Sequence, residues 1–122
     1  MQSKTKNLKN NILDLDKSKI QIAFLNIIIN AVEAMKEGEG ILTIETFLNN
    51  KNAVVMISDN GIGISQEHIG RLFEPYFTSK NNGIGLGLAA TLNIIQSHKA
   101  RVEVESEIGK CTTFIITFPL GI

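Results

Sequence analysis

Two short segments in which glycine occupies alternate positions constrain this chain more than any other feature. The first is Asp59-Asn-Gly-Ile-Gly-Ile64, and the second, further along the chain, is Gly83-Ile-Gly-Leu-Gly-Leu88. Glycine loses more backbone freedom on folding than any other residue, so five glycines in two short runs are unfavourable for a small domain. They are tolerated where the backbone must approach a ligand closely or adopt a positive φ.

The two segments differ in charge, because the first begins with Asp59 whereas the second contains no acidic residue. This asymmetry favours a ligand with one end that donates a hydrogen bond and another that is anionic, and a nucleotide has that shape. The second segment runs into a helix-forming stretch, where free N–H groups and the positive end of the helix dipole suit a phosphate. The alternative is two ordinary turns, since Asp59-Asn60-Gly61 would make a good hairpin, although a turn needs only one or two glycines.

Length and composition indicate one soluble globular domain. The chain has 122 residues, of which 43% are hydrophobic and 20% charged, and this is enough to bury a core. Twelve basic residues balance twelve acidic ones, so no overall field favours nucleic acid or a membrane as partner. No apolar run is long enough to cross a bilayer and the start does not resemble a signal peptide, so we expect a cytoplasmic domain without membrane contact.

The single cysteine, Cys111, excludes an internal disulfide and a cysteine-ligated zinc site. We interpret it as a small buried hydrophobic residue rather than a reactive thiol.

The pattern along the chain predicts a polar tail or linker remnant over residues 1–12 and a domain over 13–122. Asp16 and Ser65 are expected to cap the first and second helices. The predicted helices cover residues 17–36, 65–72 and 87–98, and the predicted strands cover 41–47, 53–58, 101–106 and 112–118.

The first predicted helix is apolar over most of its circumference, which predicts a mostly buried helix. Asparagines on such a helix need partners, because each unpaired one would cost roughly 1–3 kcal/mol. The partners could be each other or the backbone, or the amide oxygens could face a hard cation such as Mg²⁺ in a polar cleft. The main apolar arc consists of Ile20, Phe24, Ile27, Ile28, Ala31 and Met35, its extension of Ile22, Leu25, Ile29 and Val32, and the narrow polar stripe of Asn26, Asn30, Glu33 and Glu37.

Five segments in order resemble motifs of the ATP-binding catalytic domain of sensor histidine kinases, within the superfamily of DNA gyrase, Hsp90-type chaperones and MutL. The resemblance covers about residue 13 to the end, and one segment, the F box, favours histidine kinases over the other branches. The motifs are the N box at residues 26–31, the first glycine box at 59–63, the F box at 71–80, the second glycine box at 83–88 and the glycine-threonine motif at 109–114.

The resemblance implies a Bergerat-type ATP-binding fold, an α/β (α+β) two-layer sandwich. Its sheet would be mixed and mostly antiparallel, with the helices on one face. Two hairpin-like pairs of strands and three helices, read from the pattern alone, agree with a sheet that has one covered face.

The resemblance also implies roles for individual residues at the base end of an ATP site. Asp59 would accept a hydrogen bond from the adenine amino group, and Gly63 would let the backbone and water approach the ring. Gly61 would belong to the same nucleotide-binding set. Ile64 would line the apolar wall, and Thr112 would help to hold a water network beside Asp59.

At the phosphate end, Asn30 would ligate Mg²⁺ and Asn26 would face the phosphates as a catalytic residue. A mobile lid at residues 73–82 would carry Phe77 as a hydrophobic latch and Lys80 as a catalytic phosphate contact. In the second glycine box, Gly83, Gly85 and Gly87 would offer backbone N–H groups to the triphosphate, and Leu86 and Leu88 would complete the nucleotide-binding set.

The sequence departs from the family pattern in three ways, at Cys111, at Glu33 and in the expected lack of dimerisation helices and of a phosphoacceptor histidine in its usual setting. Cys111 stands where many members have glycine, and Glu33 stands where a large subgroup has a phosphate-contacting lysine, which gives Lys80 more weight. The two histidines, His68 and His98, both fall inside the ATP-binding domain, so neither is expected to be the phosphoacceptor.

The expected function is therefore that of a protein-histidine kinase catalytic domain in two-component signal transduction. It would bind Mg-ATP and donate the γ-phosphate to a histidine on a dimerisation and phosphoacceptor domain, in cis or in trans, from which a response regulator would receive it. The alternatives are a gyrase- or MutL-type ATPase, an anti-sigma-factor-type serine kinase and a non-catalytic nucleotide sensor. An amide at Asn26 argues against the ATPase, where a glutamate would activate water.

Overall fold

Helices and strands follow one another through residues 16–74 and 87–120, the part of the chain that the computed structural model describes. The predicted tail at residues 1–12 lies outside this part, as do the site residues Phe77, Lys80, Gly83, Gly85 and Leu86. In chain order the elements are α1 (Lys17–Ala34), β1 (Leu42–Asn49), β2 (Asn52–Asp59), α2 (Gln66–Ile69), α3 (Gly87–Ser97), β3 (Arg101–Glu107) and β4 (Cys111–Pro119).

The four strands form one sheet in the order β1-β2-β4-β3. All three pairings are antiparallel, so no parallel pair occurs among the strands that the structure describes. The predicted α/β sandwich with a mostly antiparallel sheet is confirmed, and the predicted elements are all present with ends shifted by a few residues.

The core lies between the helices and one face of the sheet, because side chains alternate between the two faces of a strand. Inward residues of β2 and β4 pair directly, as in Ile57 with Phe114 and Val55 with Ile116, and all four are buried. From the helices, the core receives Ile20, Ala23 and Ile27 of α1 and Leu88 and Ile95 of α3.

Helix α1 begins where predicted but ends earlier. The Asp16 carboxylate accepts a hydrogen bond from the Lys19 backbone N–H at 3.3 Å and so caps the N-terminus. At the other end Met35 is extended, and the carbonyl of Ala34 accepts the Ile62 N–H at 3.0 Å. The last turn of α1 is thereby joined to the loop that follows β2, and Glu37 lies beyond the helix rather than on its polar stripe.

The prediction that α1 is mostly buried is wrong. Its main apolar arc faces the core, but Ile22, Leu25, Ile29 and Val32 are 52%, 55%, 40% and 54% exposed. A helix in a two-layer sandwich contacts the sheet and its neighbouring helix on one side only, so an arc that extends most of the way round cannot all be covered.

The interpretation of Cys111 as buried is also wrong, because the thiol is exposed. Cys111 pairs with Glu107 beside the β3–β4 turn, and Thr112 and Phe114 are the residues of this strand end that point inward. Strand alternation therefore directs Cys111 outward. Within the part of the chain described, none of the helices combines the length and apolar character needed to cross a membrane.

Candidate functional site

Three polar side chains lie in one row across the inner face of the sheet, at the end where the apolar core stops. Asp59 of β2 pairs with Thr112 of β4, and Thr112 pairs with Ser106 of β3. The preceding row, formed by Ile57, Phe114 and Val104, is apolar. Asp59 and Thr112 are 5% and 3% exposed, so this end of the core is polar although it is closed to bulk water.

Two members of the polar row, Asp59 and Thr112, line a cavity of about 110 Å³ between the sheet, α1 and α3, whereas Ser106 lies behind Thr112 and does not line it. The cavity brings together six residues predicted from the sequence to be in the site, and they come from four separate segments of the chain. These six are Asn30, Asp59, Gly63, Ile64, Leu88 and Thr112, and the other lining residues are Ala31, Glu33, Ala34, Ile62, Leu72 and Phe114.

The carboxylate of Asp59 is held by the loop that follows it. Its Oδ1 accepts the Gly61 backbone N–H at 2.8 Å, an arrangement that asparagine and aspartate side chains commonly make with the backbone two residues on. A side chain at Gly61 would place its Cβ 2.5 Å from the carbonyl oxygen of Ala34 and 2.9 Å from Asp59 Oδ1. Glycine is thus required here for the loop to pack against the end of α1.

Gly63 is required for a similar reason. Its φ is +76°, and a Cβ would lie 2.3 Å from the carbonyl oxygen of Glu107. The Ile62 carbonyl in turn accepts the Gly109 N–H at 2.7 Å, so the loop is clamped between α1 and the β3–β4 turn. The first glycine segment therefore serves close backbone packing within the protein, and its predicted role in ring approach stays a prediction.

The two asparagines of α1 lie one turn apart and point toward α3 and the cavity. Asn26 Nδ2 donates to the hydroxyl of Thr91 on α3 at 3.2 Å, and Asn30 Nδ2 donates to the Asn26 backbone carbonyl at 2.9 Å. Thr91 is fully buried. Hydrogen bonding within the protein, one of the two explanations offered by the sequence, is therefore present. These two bonds engage the NH₂ end of each amide.

Ser106 and Thr91, which do not line the cavity but are hydrogen-bonded to the predicted site residues Thr112 and Asn26, were missed by the sequence prediction. Ser106 Oγ is hydrogen-bonded to the Ile64 N–H, the Cys111 carbonyl and the Thr112 hydroxyl at 2.7, 2.8 and 2.8 Å. A signal was present in each case. Ser106 follows Val102 and Val104 at the inward positions of its strand, and Thr91 occupies a position between Leu88 and Ile95 on the buried side of α3.

The remaining predicted site residues are only partly placed. Gly87 is the first residue of α3, whereas Asn26 does not line the cavity and reaches it through Asn30. Of the F box, Arg71 and Glu74 form an exposed ion pair at 3.2 Å, and Phe73 packs edge-on against Phe114, a lining residue, with ring centroids 6.4 Å apart.

Sequence comparison identifies sensor kinases as relatives. Sporulation kinase E of Bacillus subtilis is 38% identical over 103 residues, which cover 84% of this chain and 14% of that protein. The sensor histidine kinase ZraS of Escherichia coli is 31% identical over 110 residues, or 90% of this chain and 23% of that protein. The chain thus spans less than a quarter of the length of these two relatives.

Solved structures of the same kind share the fold. The nucleotide-free catalytic domain of histidine kinase ThkA superimposes with a TM-score of 0.77 at 28% identity, over 87% of this chain and 69% of that one. The mycobacterial sensor histidine kinase MprB gives a TM-score of 0.79 at 26% identity, over 88% of this chain and 76% of that one. The resemblance inferred from the five motifs is confirmed.

The sequence model described as "Histidine kinase-, DNA gyrase B-, and HSP90-like ATPase" matches residues 15–122. This span includes every motif on which the resemblance rested and excludes only the polar start of the chain. The chain belongs to the family of histidine kinase-, DNA gyrase B- and HSP90-like ATPases.

Proposed function

We propose that this domain binds Mg-ATP and donates the γ-phosphate to a histidine on a dimerisation and phosphoacceptor domain, in cis or in trans. The observation that carries the proposal is the cavity itself, which is lined by the buried carboxylate of Asp59, the amide of Asn30 on α1 and several apolar side chains. A response regulator would then receive the phosphate, as in two-component signal transduction. The relatives named above are kinases of this kind, which supports the proposal.

The base end of the cavity suits adenine. Asp59 offers a buried acceptor in a pocket walled by Ile64, Leu72 and Phe114, and a flat heterocycle with an amino group satisfies both features. A hydrogen bond from the ligand to such a carboxylate would contribute more to the free energy of binding than one to a neutral acceptor, since hydrogen bonds to charged groups contribute roughly 1.5–3 kcal/mol. We therefore place the adenine ring between these side chains with its amino group toward Asp59.

The phosphate end suits magnesium bound mainly by the nucleotide. Within residues 16–74 and 87–120, no three His, Cys, Asp or Glu side chains lie together as a metal site would need. Mg²⁺ commonly takes one or two protein oxygens and completes its octahedron with phosphate oxygens and water, and Asn30 lines the cavity where such an oxygen is needed. When bound, the metal would neutralise charge that develops on the phosphates.

The carboxamide of Asn26 favours transfer of the γ-phosphate over hydrolysis of ATP. A carboxamide cannot take a proton from water at neutral pH, and the Nδ2 of this one donates to Thr91. Asn26 therefore cannot serve as the general base that the gyrase- or MutL-type alternative needs.

His98 does not have the surroundings of a phosphoacceptor. Its Nε2 accepts the Asp16 N–H at 3.0 Å, and its Nδ1 lies 2.7 Å from the Ile94 carbonyl oxygen. Nε2 thus joins the end of α3 to the start of α1, whereas Nδ1 is engaged with the last turn of α3 itself. A nucleophilic histidine needs an unprotonated nitrogen that faces the phosphate, so His98 is not expected to be the acceptor.

The test is incubation of the chain with γ-labelled ATP and Mg²⁺, with and without a separate dimerisation domain that carries the acceptor histidine. We expect label to appear only on the added domain and to be lost in acid, as a phosphohistidine is. Replacing the acceptor histidine by alanine is the control and should abolish labelling. Rapid phosphate release by the chain alone would favour the ATPase, acid-stable labelling of a partner serine would favour the serine kinase, and binding without transfer would favour the sensor.

A further inference from the structure

The hydroxyl of Ser106 makes three hydrogen bonds, which is all that a hydroxyl can make. It has one hydrogen to donate and two lone pairs with which to accept. The hydrogen goes to the carbonyl oxygen of Cys111, which can only accept, at 2.8 Å. The Ile64 backbone N–H, which can only donate, occupies one lone pair at 2.7 Å.

These two bonds fix the direction of the third. Thr112 Oγ1 lies 2.8 Å from Ser106 Oγ, and because the Ser106 hydrogen is already used, Thr112 must be the donor. Thr112 lines the cavity beside Asp59. It therefore presents oxygen lone pairs to a ligand, and its neighbour Asp59 presents carboxylate oxygens.

We propose that Ser106 is a positioning residue that makes the base end of the cavity accept hydrogen bonds only, so that the site selects purines with an amino group over those with a keto group at the same ring position. The inference rests on the proposed nucleotide function. It assigns to Ser106 the orientation of the Thr112 proton, and with it the discrimination between ATP and GTP. A keto oxygen placed there would face lone pairs on both sides.

The test compares the dissociation constants of ATP and GTP by calorimetry in the full chain. In Ser106→Ala the Thr112 hydroxyl loses its acceptor and can turn its hydrogen toward a keto oxygen, so the preference for ATP over GTP should fall about tenfold. Ser106→Thr keeps the hydroxyl and should restore the preference. Ser58→Ala is the matched control, because Ser58 makes a similar 3.0 Å bond to Thr113 between β2 and β4, outside the cavity.

Equal losses of ATP and GTP affinity in Ser106→Ala would mean that Ser106 is merely structural and would overturn the proposal. If that variant does not fold, Ser106→Cys replaces it, because a thiol makes only weak hydrogen bonds, and the preference for ATP over GTP should again fall; an unchanged preference would overturn the proposal. A wild-type chain that binds neither nucleotide would instead refute the proposed function. If the wild-type chain binds ATP and Ser106→Ala keeps the same preference for ATP over GTP, this inference alone is refuted.

Discussion

The two ends of the cavity are built in different ways. At the end proposed to hold the base (the base end), strand pairing places Asp59 and Thr112 side by side, and two glycines allow the following loop to pack against backbone on both sides. At the end proposed to hold the phosphates (the phosphate end), the lining residue Asn30 and its neighbour Asn26 are held by side-chain hydrogen bonds, one of them between α1 and α3. Backbone packing gives a fixed shape, whereas side-chain bonds between helices can be exchanged for bonds to a ligand. We therefore expect mutations at the base end to affect stability and base selectivity, and mutations at the phosphate end to affect metal and phosphate binding.

Gly63→Ala should have the largest effect, because it adds a Cβ at a positive φ and 2.3 Å from a backbone oxygen. Gly109→Ala is the matched control, since Gly109 has φ +81° with nothing within 4 Å of its Cβ. The control should lose about 1–2 kcal/mol from its left-handed backbone alone, and Gly63→Ala a further 1–3 kcal/mol from overpacking. Urea unfolding of both variants measures the difference. Equal losses in the free energy of unfolding would show that the loop is not held tightly between α1 and the β3–β4 turn. They would contradict the contrast drawn between the two ends of the cavity.

Asp59→Ala should come next and act on affinity more than on stability. Loss of a charged acceptor is worth roughly 1.5–3 kcal/mol, so ATP should bind about ten- to a hundredfold more weakly. Asp59→Asn is the finer probe, because it keeps the size and the hydrogen bond from Gly61 but offers donors as well as acceptors. An unchanged ATP affinity of Asp59→Ala in calorimetry would show that the adenine ring does not bind at this end of the cavity.

Asn30→Ala should weaken Mg-ATP binding about tenfold while metal-free ATP binding changes little, because the lost oxygen would be a ligand of the metal. Glu33→Ala is a suitable control, as Glu33 also lines the cavity but is exposed and lies one turn along α1. It removes a negative charge, so it should leave the dependence on Mg²⁺ intact and strengthen ATP binding slightly. Equal weakening with and without Mg²⁺ in Asn30→Ala would make this asparagine structural.

The base end was more predictable from the sequence than the phosphate end, for physical reasons. Asp59 ends a short, mostly apolar strand and precedes glycines, so its position could be inferred from the sequence. The partners of Asn26 could not, because a periodic pattern places a residue on a helix face but does not say which side chain of another helix meets it. For the same reason the exposed face of α1 was predicted to be buried, since apolar residues do not reveal how many layers cover them. The ligand contacts of Gly83 and Gly85 remain predictions.

The smallest expected effect is that of Thr91→Val, which tests whether the bond between α1 and α3 matters for the phosphate end. Valine keeps the shape of the fully buried threonine but cannot accept the Asn26 amide hydrogen. A single neutral hydrogen bond is worth roughly 0.5–1.5 kcal/mol, so ATP affinity should fall about two- to tenfold, whereas adenosine, which lacks phosphates, should bind as before. Thr113→Val is the control, since it removes a hydroxyl bonded to Ser58 elsewhere on the sheet and should change neither affinity. If Thr91→Val weakened the binding of adenosine as much as that of ATP, the two ends of the cavity would not be independent. The hydrogen bond between α1 and α3 at the phosphate end would then determine the shape of the base end as well.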